Sequence, residues 1–206
     1  MTRQPTRPAA RRRGRPGYDL DSLLLVAARV FNQRGYDGTS MEDLAARLGI
    51  TKSAIYHHVS GKSELLRLAT DRALDALFAV TEEPEARTGR AIDRLEHLVH
   101  RSAEVLVAEL PFVTLLLRVR GNTPAERRAL ARRREFDQLI TALVTEAQND
   151  ADIRPDVSPA LAARLLFGMV NSITEWYRPR RDPQAADLPA AITHIAFDGL
   201  RTTPRQ

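Results

Sequence analysis

Thr39-Ser-Met-Glu-Asp-Leu-Ala-Ala-Arg-Leu-Gly-Ile-Thr-Lys-Ser-Ala-Ile-Tyr-His-His-Val59 reads as two short helices joined by a tight turn. Thr39 and Glu42 have the S/T-x-x-E spacing of a capping box, which predicts a helix opening at Ser40. Leu44, Ala45 and Leu48 fall on one face of it. Gly49 follows as the residue that can take positive φ without Cβ strain and so stop the helix. Thr51 is an N-cap type residue, and Ile50 and Ile55 bracket it with the spacing of a hydrophobic staple. Ile55 and Val59, four apart, then share an inward stripe. Lys52, Ser53, Ala54, Tyr56 and His57 are left outside, all near the start of the second helix. Free N–H groups at such a start suit a phosphate, and short polar side chains there reach base edges in a major groove. The pattern is that of a helix-turn-helix with a recognition helix; a solvated helical hairpin shares the same two-helix pattern.

The chain has 206 residues, 43% hydrophobic and 28% charged, with no cysteine. That composition is ordinary for a soluble globular protein and excludes a disulfide framework, thiolate metal sites and a cysteine nucleophile. The most apolar run, Val105 to Val119, is interrupted by Glu109, Pro111 and Arg118 and is too short to span a bilayer. The N-terminus has no apolar run after its arginines, so no secretory signal is read there and the cytoplasm is expected. Net charge is +5, and it is unevenly placed. Arg3, Arg7, Arg11, Arg12, Arg13 and Arg15 lie in 1–17, a segment without Asp or Glu, so the remainder is close to neutral. With Pro5, Pro8, Gly14, Pro16 and Gly17 among the arginines, 1–17 cannot bury enough surface to offset chain entropy and is expected to be a disordered basic arm. Such an arm beside a helix-turn-helix neutralises phosphates and reaches a minor groove. Arg13-Gly-Arg-Pro16 resembles the core of an AT-hook; a solubilising tail has the same composition.

Outward from the central stretch the periodicity is helical throughout. Asp19 caps a first helix to Arg34, with Leu20, Leu24, Ala27 and Phe31 on its buried stripe. A fourth helix spans 62–80, its inner face formed by Leu65, Ala69, Ala73, Ala76 and Val80. Gly61-Lys62-Ser63 lacks the glycine five residues earlier that a P-loop needs, because that position is Tyr56. Ile92, Leu95, Val99, Ala103, Leu106 and Leu110 mark a helix that Pro111 breaks or kinks. Thr123, Pro124 and Glu126 form a strong start signal for a long helix to about Asn149. Ser158-Pro159 opens the next, which continues to about Arg178, and Leu188 to Arg201 closes the chain. The expected fold is all-α with about nine helices: head 18–66, the fourth helix as a link, and a body in 67–206.

This order resembles the tetracycline-repressor (TetR) family of bacterial regulators. The resemblance over 19–66 is carried by Phe31, Gly35, Thr39, Leu44, Ala45, Gly49, Tyr56, Val59 and Lys62. It implies phosphate contacts from Thr39, Tyr56 and Lys62, and base-facing roles for Lys52, Ser53, Ala54 and His57, with Ser40, Thr51, Arg13 and Arg15 beside them. It also implies a homodimer built from the last two helices, where Ile173, Trp176, Ile192, Ile195 and Gly199 are the candidate interface residues. A small-molecule effector in the body would release double-stranded DNA, and Phe112, Leu116, Val119, Arg120, Phe167 and Asn171 are the candidate pocket. Phe167-Gly-Met-Val-Asn-Ser-Ile-Thr-Glu-Trp-Tyr-Arg-Pro179 looks like the corresponding segment of members that respond to acyl-coenzyme A thioesters. Phe167 and Glu175 stand where some such relatives carry ligand-binding arginines.

Other constellations are weaker. Arg118, Arg120, Arg127, Arg128, Arg132, Arg133 and Arg134 read as a solvated face or as a port for an anionic effector group. His97, His100 and Glu104 share a helix face, yet pairs of this kind are more often pocket lining or surface than zinc ligands, and no metal or cofactor is expected. No Ser-His-acid order with a glycine elbow and no paired carboxylates with a pocket context are present, so an enzyme is not expected. The expected function is a ligand-responsive, DNA-binding transcriptional repressor acting as a dimer on a pseudo-palindrome, with no membrane partner. The alternatives are a small-molecule binding protein of the same fold, and a weakly specific DNA binder driven by the arm.

Overall fold

The computed structural model describes residues 19–179 and 187–200, so the expectations placed on the arm, Arg13 and Arg15 included, lie outside the described residues. Within them the chain forms ten α-helices and no strand. The head comprises α1 (Leu20–Arg34), α2 (Met41–Leu48) and α3 (Lys52–Tyr56), and α4 (Lys62–Thr81) leads out of it. The body follows as α5 (Pro84–Arg87), α6 (Ala91–Ala108), α7 (Leu110–Arg118), α8 (Pro124–Asn149), α9 (Pro159–Trp176) and α10 (Leu188–Leu200). The count exceeds the expected nine because α5 is a four-residue turn of helix, too short to carry a periodic signal.

Local signals explain most boundaries. The Asp19 carboxylate accepts the Ser22 N–H at 2.8 Å, capping α1 as expected. Leu20, by contrast, is exposed, and the buried stripe of α1 is Leu23, Leu24, Ala27, Ala28, Val30 and Phe31. The capping box of α2 is displaced by one residue from the expected Thr39–Glu42 pair. Ser40 is the N-cap: its hydroxyl accepts the Asp43 N–H at 3.1 Å, while the Asp43 carboxylate accepts the Ser40 N–H at 2.9 Å. Those hydrogen bonds, the Ser40 hydroxyl first among them, hold the Asp43 carboxyl below the usual range. Gly49 ends α2 at φ 67°, and the Gly49 and Ile50 N–H groups return to the Ala46 and Ala45 carbonyls. Thr123 and Glu126 form the expected reciprocal cap of α8, with Glu126 only 7% exposed. Pro111 does not kink a continuous helix: α6 stops at Ala108 and the proline sits in the first turn of a separate α7.

Two elements are shared between head and body. The helix α4 packs on α1 as well as on α6, α7 and α8, and α7 packs on α1, α4, α6 and α9. The Asn32 side-chain amide donates to the Pro111 carbonyl at 2.7 Å, and the Arg118 guanidinium donates to the Asn32 backbone carbonyl at 2.7 Å. One residue of α1 thus takes both ends of α7. Arg72 of α4 adds a second tie, paired with Glu109 at 2.7 and 3.1 Å, reaching Asp21 at 3.3 Å and lying 4.5 Å from the Phe112 ring.

Replacing Asp43 with alanine is expected to lower unfolding stability measurably, because the Ser40 N–H loses its carboxylate acceptor and the reciprocal cap is reduced to one bond. Glu42→Ala should change it much less, since an exposed ion pair contributes little. Denaturant titration of both variants checks the assignment, and equal losses would return the cap to Thr39–Glu42. Removing both Asn32 and Arg118 side chains (Asn32→Ala with Arg118→Ala) should speed amide exchange at the end of α1 by about thirtyfold, the weight of roughly two net hydrogen bonds. Unchanged exchange there would show that the α1–α7 ties carry no local stability.

Candidate nucleic-acid interface and effector cavity

The second helix of the head is presented by its own buried side. Ile55 is fully buried and Val59 is 3% exposed, so the outward residues are fixed by what lies beneath them. Burying a residue such as Ile55 contributes about 2 kcal/mol. The helix α3 is shorter than expected and ends at Tyr56, so Val59 lies in the turn that follows, its N–H still donating to the Ile55 carbonyl at 3.2 Å. Thr51 caps α3 through its hydroxyl, which accepts the Ala54 N–H at 3.2 Å. Lys52, Ser53, Tyr56 and His57 are exposed, and Ala54 is half-buried among them. Tyr56, at 46% exposure, is a large aromatic left in solvent.

Charge on this face is partly compensated from within the head. The Lys52 ammonium pairs with Glu42 of α2 and stands 5.9 Å from the Tyr56 ring. That hydrogen bond pushes Glu42 below the usual carboxylate range and Lys52 above its own. Lys62, at the start of α4, donates to the Tyr36 carbonyl at 2.9 Å and lies 4.4 Å from the Tyr36 ring. Thr39 departs from the expectation. It is 2% exposed and donates its hydroxyl to the Gly35 carbonyl at 2.7 Å, so its side chain serves the α1–α2 turn and offers no surface to a phosphate. Ser40, next to it, is exposed.

The body holds a cavity of about 60 Å³. Leu116, Phe167 and Asn171 line it as expected. Three candidates do not. Phe112 is buried in the core beneath the Arg72 guanidinium, while Val119 and Arg120 line a separate cleft between α1, α7 and the start of α8. The reason is the two-sidedness of α7: Val113, Leu116 and Leu117 face the cavity, and Leu115, Arg118 and Val119 face the head. The cavity wall also takes Leu77 of α4, Ser102 and Val105 of α6, Phe136 of α8 and Val170 of α9, which sequence spacing did not bring together. Phe136 stacks edge-on with Phe78 at 5.7 Å and with Phe167 at 5.2 Å. Of the arginine cluster only Arg133 reaches this wall. Arg132 is committed to Asp71 and Asp75, Arg127 to the Gly121 and Asn122 carbonyls, and Arg118 to Asn32. Asp137, one helical turn from Arg133, has its carboxyl pushed up by desolvation, with Arg133 and Arg164 acting against that.

The expected interface residues divide. Ile173 is fully buried and Ile192 is 8% exposed, so both belong to the subunit's own core. Trp176 (51%) and Ile195 (68%) are exposed, as is Gly199. Leu161 (46%) and Leu165 (57%) are exposed as well. They continue a stripe through Gly168 and Ser172 to Trp176 along α9, legible as a second i, i+4, i+7 set beside the buried one. His97 pairs with Glu83 at 2.7 Å and His100 with Glu104 at 3.4 Å, so the two histidines serve different partners. Arg101 also holds Glu83, its donation being the main cause of that carboxyl's lowered pKa.

No helix among the described residues is long and apolar enough to cross a membrane. Residues 23–69 match the model of bacterial regulatory proteins of the tetR family, and 88–200 match the tetracyclin repressor-like C-terminal domain. The chain is 27% identical over 204 residues to the HTH-type transcriptional repressor KstR2 of Mycolicibacterium smegmatis, covering 95% of this chain and 93% of that one. A crystal structure of a TetR transcriptional regulator family member from Streptomyces coelicolor A3 is 56% identical, covers 87% of this chain and 91% of its own, and superposes with a TM-score of 0.81. AibR, solved with isovaleryl coenzyme A and operator DNA, shares the fold at a TM-score of 0.72 and 24% identity, covering 86% of this chain and 97% of its own. With both its head and the greater part of its body matched, the chain belongs to the TetR family of bacterial transcriptional regulators.

Proposed function

We propose that this regulator is a ligand-responsive repressor: a homodimer that binds a pseudo-palindromic operator and releases it when a small molecule fills the body cavity. The observation that carries this reading is the exposed set Lys52, Ser53, Tyr56 and His57 on a turn of helix whose other side, Ile55, is fully buried. Rigid seating of a short polar helix face suits insertion into a major groove, where such side chains meet base edges and phosphates. Residues 18–66 act as the DNA-binding head with α4 as its link, and 67–206 act as the effector-binding and dimerisation body. In this reading Lys52 exchanges Glu42 for DNA, and Tyr56, Lys62 and Ser40 contact the backbone of the duplex. The chain works by binding and not by catalysis, in the cytoplasm.

Two heads are required because one recognition helix covers few base pairs, and successive major grooves lie about 34–36 Å apart. The exposed Leu161, Leu165 and Trp176 of α9, with Ile195 of α10, are the surface we assign to the partner subunit, since exposed large apolar side chains gain most by mutual burial. For the effector, a coenzyme A thioester is the class we favour. Isovaleryl coenzyme A is the ligand named for AibR. The cavity here is walled by Leu77, Val105, Leu116 and Phe167, which suit an acyl chain, with Arg133 near its mouth for an anionic group.

Lys52→Ala and Tyr56→Ala are each expected to weaken binding to the promoter region beside the coding sequence by about tenfold, the effect of roughly one charge-assisted contact. Fluorescence anisotropy on that duplex reads it, and unchanged affinity in both variants would remove α3 from the interface. Leu165→Asp combined with Ile195→Asp should convert the dimer to a monomer of unchanged helicity. Sedimentation velocity at micromolar concentration decides; a persistent dimer would place the subunit contact elsewhere.

A further inference from the structure

Hydroxyl groups on the helices of this protein generally return to their own backbone. Thr70 donates to the Leu66 carbonyl at 2.9 Å, Thr114 to Leu110 at 2.7 Å, Thr145 to Thr141 at 2.9 Å, and Ser172 to Met169 at 2.7 Å. This is the ordinary way a helical serine or threonine satisfies itself. Ser102 on α6 does otherwise. It is 3% exposed, its hydroxyl has no hydrogen-bond partner among the described residues, and it stands on the cavity wall. Around it the wall is apolar: Ala73, Leu77, Val105, Leu106 and Val113. The other polar members, Arg133, Asp137 and Asn171, are all less buried and belong to the outer part. A buried hydroxyl left without a partner costs stability, so such a group calls for an explanation.

We propose that the Ser102 hydroxyl anchors the buried end of the effector, which therefore carries an oxygen function on an otherwise apolar skeleton. This rests on the reading that the cavity is the effector site, and it deepens that reading from a generic apolar ligand to an oxygenated one. The charged or polar head of the ligand remains at the outer part, beside Arg133 and Asn171. A plain hydrocarbon tail fills the same space but leaves Ser102 unpaired. Sites built around a buried polar group reject analogues that lack its partner. Ser102 is thus a specificity-determining residue: it selects what the inner end of the ligand carries.

The test uses two probes of nearly equal size, octanoate and its analogue with a ketone on the penultimate carbon. Each is titrated calorimetrically into the full chain and into Ser102→Ala. The wild-type protein is expected to bind the keto acid about five- to tenfold more tightly, the weight of one net hydrogen bond. In Ser102→Ala that ratio falls to about one, through loss of keto-acid affinity while octanoate binding holds. Circular dichroism melting confirms that the variant is folded, which a serine-to-alanine change at an apolar wall favours. Equal affinities in the wild type, a preference that survives in the variant, or no heat from either probe at millimolar concentration overturns the anchor. The readout is heat of binding and not DNA release, so its failure leaves the DNA-binding reading standing, and a failed promoter titration leaves this one standing.

Discussion

The helix α7 is held at both ends by a single residue of α1, and the relation of head to body depends on that constraint. With nine residues it is only about 13–14 Å long. The Asn32 amide takes the Pro111 carbonyl at one end, and the Asn32 carbonyl takes Arg118 at the other. Arg72 fixes the same N-terminal end to α4 through Glu109 and covers Phe112. A short rod held in this way moves as a unit. The tie is also not the most stable choice for its position. The Asn32 side-chain oxygen is buried without a partner among the described residues, a penalty that an apolar residue of similar size would avoid. Asparagine there is better explained by position than by stability, because its amide is what reaches across to the body.

Local chemistry made much of this readable in the chain alone. Asp19, Gly49, Thr51 and the Thr123–Glu126 pair act over three or four residues, and each caps or stops its helix where expected. The one cap misplaced, Thr39 for Ser40, arises because Thr39–Glu42 and Ser40–Asp43 have the same spacing. The hydroxyl of Thr39 is taken instead by the Gly35 carbonyl across the α1–α2 turn, and that contact decides between them. Facing was harder. Apolar residues occur on more than one side of α7 and α9, so periodicity says that both are buried without saying against what. Phe112 and Ile173 read by pattern as pocket and interface candidates, and both are core. Ser102 lies on α6 while Arg133 and Phe136 lie on α8, and only the packing of α6 on α8 and α9 brings them to one cavity.

The surface residues of α3 and the stripe on α9 are two consequences of one rule, that a short helix is positioned by its buried side. Ile55 and Val59 fix what α3 presents, and Ile173, Val170 and Leu166 fix what α9 presents. On α3 the presented residues are a cation, a hydroxyl, a phenol and an imidazole, suited to a polar duplex. On α9 they include two leucines and a tryptophan, suited to another apolar face. The same architecture therefore separates the two contacts by chemistry as well as by place.

Switching requires that the effector favour one arrangement of the cavity over another, since equal affinity for both shifts nothing. The wall divides unequally in this respect. Its α6, α8 and α9 portions pack among themselves, and α9 has its outer face assigned to the partner subunit. Its α4 and α7 portions, Ala73, Leu77, Val113, Leu116 and Leu117, belong to the two helices that also support the head. In the proposed switch a filling ligand acts on the head through α4 and α7, the helices that touch both, at the expense of the Asn32 and Arg118 ties. Those ties are worth about 1 kcal/mol each as net hydrogen bonds. Coupling between sites is typically about 1–3 kcal/mol, the range that loosening one or two such contacts would span.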